Sequence, residues 1–133
     1  MSDTNKQIFG YFIPPNVQVD VIHSRIININ SVVAEGGKGI ITLRTTMMRL
    51  LSYLLEHANG EIILNDEILL NVWDKHELSS STQRLWQVMQ ALKQRLNVVG
   101  IPDDFIIRVE TKGFFIREGA VTPLYYKKLL SIS

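Results

Sequence analysis

Residues 79–96 read SSSTQRLWQVMQALKQRL, and this stretch decides the fold. Serines and Thr82 at its start are good N-cap residues, and no Gly or Pro follows them, so the stretch predicts a helix over about residues 81–96. On a wheel of about 100° per residue, one narrow stripe of this helix is apolar. The stripe contains Leu85, Met89, Leu92 and Leu96, with Val88 beside it. We expect this stripe to pack against a core.

The opposite face of the predicted helix is polar and has no carboxylate. It carries Gln83, Gln87, Gln90 and Gln94, flanked by Trp86 and Lys93 on one side and by Arg84, Ala91 and Arg95 on the other. Glutamine can pair with adenine in the major groove of DNA, and Lys and Arg neutralise phosphates. The same residue types are also ordinary exposed helix formers. The face therefore suits either a DNA-contacting surface or a plain solvated one, and the neighbouring elements must decide.

Composition limits the class of protein. The chain has 133 residues, 46% hydrophobic and 20% charged, which is typical of one globular domain. It contains no cysteine, which excludes a disulfide scaffold, a thiol nucleophile and a cysteine-ligated metal, and which fits a reducing cytosol. No signal peptide and no apolar run of about eighteen residues is visible. The net charge of +1 is low for a nucleic-acid-binding domain. However, cations gather in the predicted helix, whereas acidic residues cluster upstream of it.

Residues 7–43 predict a small antiparallel sheet. The segments 8–13, 17–22 and 25–33 are rich in Val, Ile and aromatic residues, and turn residues such as Pro14-Pro15 separate them. The sequence Gly36-Gly37-Lys38-Gly39 lacks the longer spacing of a Walker phosphate loop, so it favours a hairpin turn.

Helical patterns follow this region. Thr45 or Thr46 can cap a helix that runs to about Ala58, and Asn59-Gly60 ends it. A short extended piece at residues 61–64 precedes a second helix, which Asn65 would cap. Residues expected to face inward from the two helices are Met47, Leu50, Leu51, Leu54, Leu55, Ala58, Ile68, Leu69, Val72 and Trp73.

Two further strands are predicted after the third helix, at residues 105–109 and 114–116, and Lys112 lies at the tip of their hairpin. Three helices closed by a terminal hairpin form a winged helix-turn-helix. The predicted fold is therefore α+β: an N-terminal antiparallel sheet (1–44), a winged helix-turn-helix core (45–118) and a C-terminal tail or short amphipathic helix (119–133).

The sequence contains no recognisable catalytic or metal-binding pattern. His23, His57 and His76 lie far apart without metal-ligand spacing, and Asp103-Asp104 next to Pro102 is typical of a solvated turn. The serines of residues 79–81 lack a G-x-S-x-G motif, and N-capping explains them. We therefore expect no enzyme activity, no metal or other cofactor, and no small-molecule substrate.

The arrangement resembles the DNA-binding domain of OmpR/PhoB-type bacterial transcription regulators, and within them the ToxR/CadC-like branch. The matching residues are Leu43, Glu56-His57, Glu61-Ile62-Ile63, Asn65-Asp66-Glu67-Ile68, Val72-Trp73, Ser80-Ser81, Leu85, Met89, Leu92-Lys93-Gln94-Arg95-Leu96, Val109, Gly113-Phe114 and Ile116. Their order and spacing carry the resemblance, which spans more than half of the chain.

The resemblance implies a sequence-specific regulator that binds double-stranded DNA. The third helix would enter the major groove, and the wing at about 106–117 would lie on the adjacent minor groove or backbone. The DNA contacts would then be Thr82, Arg84, Trp86, Gln87, Gln90, Ala91, Lys93 and Gln94 on the helix, with Thr111 and Lys112 on the wing. Trp86 can either stack on DNA or fold back onto the domain. The loop 74–80 would face RNA polymerase, and copies would associate in tandem on DNA.

Two residues depart from the pattern of that family. Many relatives have Arg or Lys at the place of Ala91, and many have Arg at the place of Glu110. With the low net charge, these two residues motivate an alternative function: a winged-helix module that binds a regulator or RNA polymerase and has little affinity for DNA. In either case the expected location is cytoplasmic, as a stand-alone protein or as the cytoplasmic part of a membrane-anchored regulator.

Overall fold

The computed structural model describes residues 6–34, 39–79 and 81–127. Five strands form an antiparallel sheet: β1 (Lys6–Ile13), β2 (Val17–Asp20), β3 (Arg25–Asn28), β4 (Ile40–Thr42) and β8 (Thr122–Lys127). Their order across the sheet is β4-β3-β2-β1-β8. The predicted N-terminal sheet is thus present, and the last strand of the described chain completes it beside β1.

Two segments of this region differ from the prediction. Residues 29–33 were expected to continue a strand, but Ile29–Ala34 forms a short helix, α1. Residues 122–127 were expected in a tail or short helix, but they form β8, which pairs with β1 from Lys6↔Lys127 to Phe12↔Thr122. The predicted turn residues Gly36, Gly37 and Lys38 and the tail from residue 128 lie outside the described residues.

The helices follow the predicted order. α2 (Thr45–Glu56) is followed by the two-residue strand β5 (Ile63–Leu64), and the second helical segment starts with α3 (Asn65–Ile68). This segment widens into a π-helical turn at Leu69–Trp73 and tightens into a 3₁₀ turn at Asp74–His76. The long helix α4 (Thr82–Val98) begins at Ser81, whose Oγ accepts a hydrogen bond from the Arg84 amide at 3.0 Å. The predicted N-cap chemistry of α4 is therefore present at Ser81.

One hydrophobic core holds the helices and the N-terminal sheet together. The predicted stripe of α4 (Leu85, Met89, Leu92 and Leu96) is buried in it, as are Leu50, Leu51, Leu54, Leu55, Ile68, Val72 and Trp73 from the other helices. Val19 and Ile26 enter the same core from the sheet. The apolar stripe of α4 therefore packs as its spacing predicted, and its polar face is left outside.

Two hydrogen bonds tie the N-terminal sheet to the last turns of α4 and to Val99, which directly follows the helix. The Arg95 guanidinium donates to the Thr42 carbonyl at 2.9 Å, and the Asn28 side-chain amide donates to the Val99 carbonyl at 2.7 Å. Both bonds join residues more than fifty positions apart in sequence, so they fix α4 against the sheet. Arg95 is thereby directed towards the sheet and not towards the exposed face of α4.

A second sheet forms the wing. β6 (Ile107–Val109) and β7 (Gly113–Phe115) pair as an antiparallel hairpin, and β5 adds to the other edge of β7. Asn65 was expected to cap α3, but its side-chain amide donates to the Thr111 carbonyl at 2.9 Å, and its backbone amide donates to the Lys112 carbonyl at 3.0 Å. Asn65 is the first residue of α3, so its two hydrogen bonds anchor the wing turn to the start of that helix.

Gly113 allows β7 to approach β5 closely, and we expect Gly113→Ala to destabilise the wing. A Cβ atom at this position would collide with the Ile63 carbonyl oxygen and would lie 3.1 Å from the Leu64 Cα. Because these are backbone atoms, relief requires the strands to separate, and the expected cost is about 1–3 kcal/mol of the free energy of unfolding. Chemical denaturation measures this loss. Thr111→Ala, which changes an exposed side chain in the adjacent turn, is the control, and equal stability of the two variants would contradict the close-approach explanation.

Candidate nucleic-acid interface

The exposed face of α4 carries most of the predicted contacts. Gln83, Gln87, Gln90 and Gln94 are exposed, together with Thr82 and Arg84, while Ala91 and Lys93 are partly buried on its two flanks. No acidic residue occurs anywhere in Thr82–Val98. The helix face itself carries cations and no carboxylate, and its glutamine side chains can offer both donor and acceptor groups to a ligand. One carboxylate lies beside it, because Asp103 lines a cleft with Gln90, Lys93 and Gln94.

Trp86 folds back onto the wing. Its ring packs edge-on against Phe114 of β7, with 6.1 Å between the ring centroids and 63° between the planes. The guanidinium carbon of Arg108 lies 3.5 Å from the centroid of the Trp86 ring. Of the two orientations open to Trp86 from the sequence, the structure shows the one that packs within the domain.

A cleft separates α4 from the wing sheet. Its lining residues are Trp86, Met89, Gln90, Lys93, Arg108 and Phe114. Two cations, Lys93 and Arg108, thus flank one groove, with the amide of Gln90 beside them. An anion such as a phosphate is the group that this lining favours.

The wing tip is a short exposed turn between β6 and β7. The Lys112 amide donates to the Val109 carbonyl at 2.9 Å, and Glu110 adopts a left-handed backbone with φ 45°. The side chains of Glu110, Thr111 and Lys112 are all exposed. The Glu110 carbonyl accepts a hydrogen bond from Arg108 Nε at 2.8 Å, so the turn also holds Arg108. The predicted wing residues Thr111 and Lys112 therefore lie at the surface of a hairpin that Asn65 and Arg108 hold in place.

The other flank of α4 borders the start of α2. A second cleft is lined there by Arg44, Thr45, Arg84, Gln87 and Ala91, among others, with Trp73 and Leu78 from the turn before α4. Arg44 is exposed and directly precedes α2. Ala91 therefore has two cations, Arg44 and Arg84, in the same cleft.

The segment expected to face RNA polymerase is the turn that precedes α4. Within the described residues 74–79, every residue is exposed, and Glu77 adopts a left-handed backbone with φ 58°. Ser80 lies outside the described residues. The turn is fixed at its base by a hydrogen bond from the Leu78 amide to the Trp73 carbonyl at 3.1 Å.

Sequence reasoning missed Arg44 and Arg108 as members of this surface. The signal for Arg108 was its position in β6, where it alternates with partly buried Ile107 and Val109. Arg44 lies between β4 and α2, where neither the strand pattern nor the helix pattern assigns it to a face. Among the described residues, no group of three or more His, Asp or Glu residues could hold a metal ion, and no helix is long and apolar enough to cross a membrane.

Several solved DNA-binding domains have a fold similar to that of this chain. The chain superposes on the DNA-binding domain of Escherichia coli CadC with a TM-score of 0.66 and 20% identity, over 90% of this chain and 99% of that one. The DNA-binding domain of the response regulator AdeR, solved in complex with an intercistronic region, gives a TM-score of 0.56 at 16% identity, over 77% and 94% of the two chains. The Klebsiella pneumoniae RstA DNA-binding domain, solved in complex with the RstA box, gives 0.53 at 16% identity, over 77% and 91%. No curated protein sequence matches the chain.

The fold prediction is confirmed: the chain has an N-terminal antiparallel sheet, a helical core and a hairpin wing. A family model described as the C-terminal domain of transcriptional regulatory proteins matches residues 37–116. This match covers the core of the domain from the approach to β4 to the end of the wing. The chain belongs to the OmpR/PhoB-type family of winged helix-turn-helix domains of transcriptional regulatory proteins and is not an enzyme.

Proposed function

We propose that this domain is a sequence-specific regulator that binds double-stranded DNA, with α4 in the major groove and the wing on the adjacent minor groove or backbone. The observation that carries the proposal is the exposed face of α4, which combines four glutamines with cations and has no carboxylate. Membership of a transcription-regulator family supports it. So do the AdeR and RstA domains, which share the fold and were solved with DNA.

The proposed contacts divide by chemistry. Gln87, Gln90 and Gln94 would contact base edges, because an amide can bond to two groups of one base. Thr82, Arg84, Lys93, Thr111 and Lys112 would contact phosphates and set the register of the protein on the duplex. Ala91 would contribute an apolar contact to a base, such as a thymine methyl group. Trp86 contributes through its packing on the wing.

The test is binding of the purified protein to random duplex DNA and to its own upstream region over a range of salt concentrations. Replacing Lys112 by Ala should weaken binding to both duplexes and reduce the slope of log Kobs against log salt by about 0.9, the value for one lost phosphate contact. Lys75→Ala, which removes an exposed lysine from the turn before α4, is the matched control and should keep the slope. If the unmodified protein binds neither duplex at low salt, the DNA-binding proposal is wrong.

We also propose that the turn at 74–80 contacts RNA polymerase. Its support is the exposure of the described residues 74–79 beside the start of α4. Lys75→Ala separates this role from DNA binding, since a polymerase contact changes transcription in vitro while leaving DNA affinity unchanged. Tandem association on adjacent sites and a cytoplasmic location belong to the same proposal.

The alternative function is a protein-interaction module with little affinity for DNA. Glu110 at the wing tip and Ala91 on α4 are the residues that favour it. Its structural expectation is the lack of a continuous positive band that joins Arg84, Lys93 and Lys112. Arg108 shares a cleft with Lys93 and a hairpin with Lys112, and Arg44 shares a cleft with Arg84. Asp103 is the carboxylate that lines a cleft with Lys93. The cations on both flanks of α4 outnumber it and favour DNA over a protein partner.

A further inference from the structure

We propose that Arg108 binds a backbone phosphate of DNA in the cleft between α4 and the wing, and that Trp86 is a positioning residue that holds Arg108 ready for this contact. The inference rests on the proposed DNA-binding function and deepens it. It concerns two residues with different roles: one would contact the ligand, and the other would act only through the first.

The first support is the geometry of the Arg108 side chain. Its guanidinium carbon lies 3.5 Å from the centroid of the Trp86 ring, a distance at which a cation and an aromatic face attract each other. Its Nε donates to the Glu110 carbonyl at 2.8 Å. A stack and a hydrogen bond therefore fix the plane of the group. Within the part of the chain that the structure describes, no further hydrogen bond engages its two terminal nitrogens, so they are available to a ligand.

The second support is the location of the group. Arg108 is exposed and lines the cleft together with Lys93 and Gln90 of α4. In the proposed docking, α4 fills the major groove and the wing lies on the adjacent groove. The DNA strand between these two grooves then passes over this cleft, and its phosphates come close to Arg108. Arg108 and Lys93 would then face the same stretch of backbone from opposite sides.

The third support is the chemistry of the pair. A guanidinium group is planar, remains charged and can donate two parallel hydrogen bonds to one phosphate. Stacking on Trp86 reduces the freedom that the long side chain would otherwise lose on binding. Trp86 is itself fixed by its edge-on contact with Phe114, which is 2% exposed. The stack therefore connects a core residue of the wing, Phe114, with Trp86 of α4 and with the guanidinium group of Arg108.

The assignment predicts a defined change in salt dependence. Arg108→Ala should weaken binding to specific and random duplexes by the same factor and reduce the slope of log Kobs against log salt by about 0.9. A fourfold rise in salt should then weaken the variant about 3.5-fold less than the unmodified protein. Arg117→Ala removes another exposed arginine, located after β7 and outside this cleft, and should leave the slope unchanged. Arg108→Lys retains the charge and should keep most of the slope.

The test of Trp86 as a positioning residue must measure an effect that a purely structural role would not produce, namely a loss of DNA affinity that depends on Arg108. Trp86→Leu should weaken binding to all duplexes, and the double variant with Arg108→Ala should bind no more weakly than Arg108→Ala alone. Trp86→Phe keeps an aromatic face and should recover part of the affinity. If Trp86→Leu weakens binding equally with and without Arg108, then Trp86 does not act through Arg108.

A duplex with single uncharged methylphosphonate groups locates the contact. The unmodified protein should lose affinity at one phosphate position where Arg108→Ala loses none. If the unmodified protein binds with a steep salt slope and Arg108→Ala keeps that slope, this inference is wrong while the proposed function stands. If the unmodified protein shows no salt-dependent binding, the proposed function fails and the inference fails with it.

Discussion

Trp73→Ala should lower the free energy of unfolding by about 3–5 kcal/mol, the range measured when a large aromatic side chain is removed from a core. Trp73 is 2% exposed and ends the π-helical turn Leu69–Trp73. Its carbonyl accepts the hydrogen bond from Leu78 that closes the turn before α4. Domains are stable by about 5–15 kcal/mol in total, so a loss of this size removes a large share of the stability. Urea denaturation followed by circular dichroism measures the change.

Leu70→Ala is the matched control for this variant. Leu70 lies in the same π-helical turn, but its side chain is 49% exposed, so the expected change is within about 0.5 kcal/mol. A similar loss in both variants would show that the turn itself, and not the burial of Trp73, determines the stability of this region. DNA affinity should be retained in Leu70→Ala, because Leu70 lines neither of the clefts beside α4.

The helices were predictable because the spacing of apolar residues and the capping residues lie within each helical segment. The apolar residues of α4 recur at helical spacing, and Leu85, Met89, Leu92 and Leu96 are all buried as that spacing requires. The start of α4 was predictable because a serine hydroxyl can accept from the amide three residues later, as Ser81 does from Arg84. The same local logic located α2 and the wing hairpin to within a few residues.

Helix α1 was missed because a side chain and a tertiary contact override a β-rich composition. The sequence Ile29–Ala34 contains Ile and two Val residues, which favour a strand. However, the side-chain oxygen of Asn28 accepts a hydrogen bond from the Ser31 amide at 3.0 Å, which starts a helical turn. The amide of the same Asn28 side chain donates to Val99, beyond α4. No local pattern shows that both ends of Asn28 are engaged in this way.

Strand β8 was missed because its partner is distant in sequence. Its register with β1 joins residues such as Gln7 and Tyr126, whose side chains are hydrogen-bonded at 2.7 Å. Alternation within Thr122–Lys127 is weak, since Pro, Leu and two Tyr residues follow one another. Pairing across the length of the chain therefore decides the structure of this segment.

In the candidate site, too, the helix period predicts one part, and contacts between distant elements determine the other. Exposure of the glutamines on α4 follows from the helix period and was predictable. The orientation of Trp86 and the inclusion of Arg108 and Arg44 depend on contacts between elements, which spacing along one element does not encode. The sequence thus identified the face of the helix, while the structure added the cations on its two sides.

The double variant Gln87→Ala and Gln90→Ala should remove most of the sequence preference of the protein. Each glutamine that bonds to a base edge contributes about 1–3 kcal/mol of discrimination, so the pair accounts for about 2–6 kcal/mol if the two contacts are independent. They lie three residues apart on one helix face, so their effects can fall short of the sum. The measurement is the ratio of dissociation constants for the upstream region and for random DNA, at one fixed salt concentration.

The physical reason for this expectation is the difference between neutral and charged contacts. Glutamine carries no charge, so its contact with DNA releases no counterion. Removing that contact should therefore leave both the salt slope and the affinity for random DNA unchanged. Gln18→Ala, in strand β2 of the N-terminal sheet, is the matched control and should retain the full preference. A double variant that loses affinity equally for both duplexes would show that Gln87 and Gln90 do not distinguish bases. The specificity would then have to come from Ala91, Gln94 or the shape of the DNA.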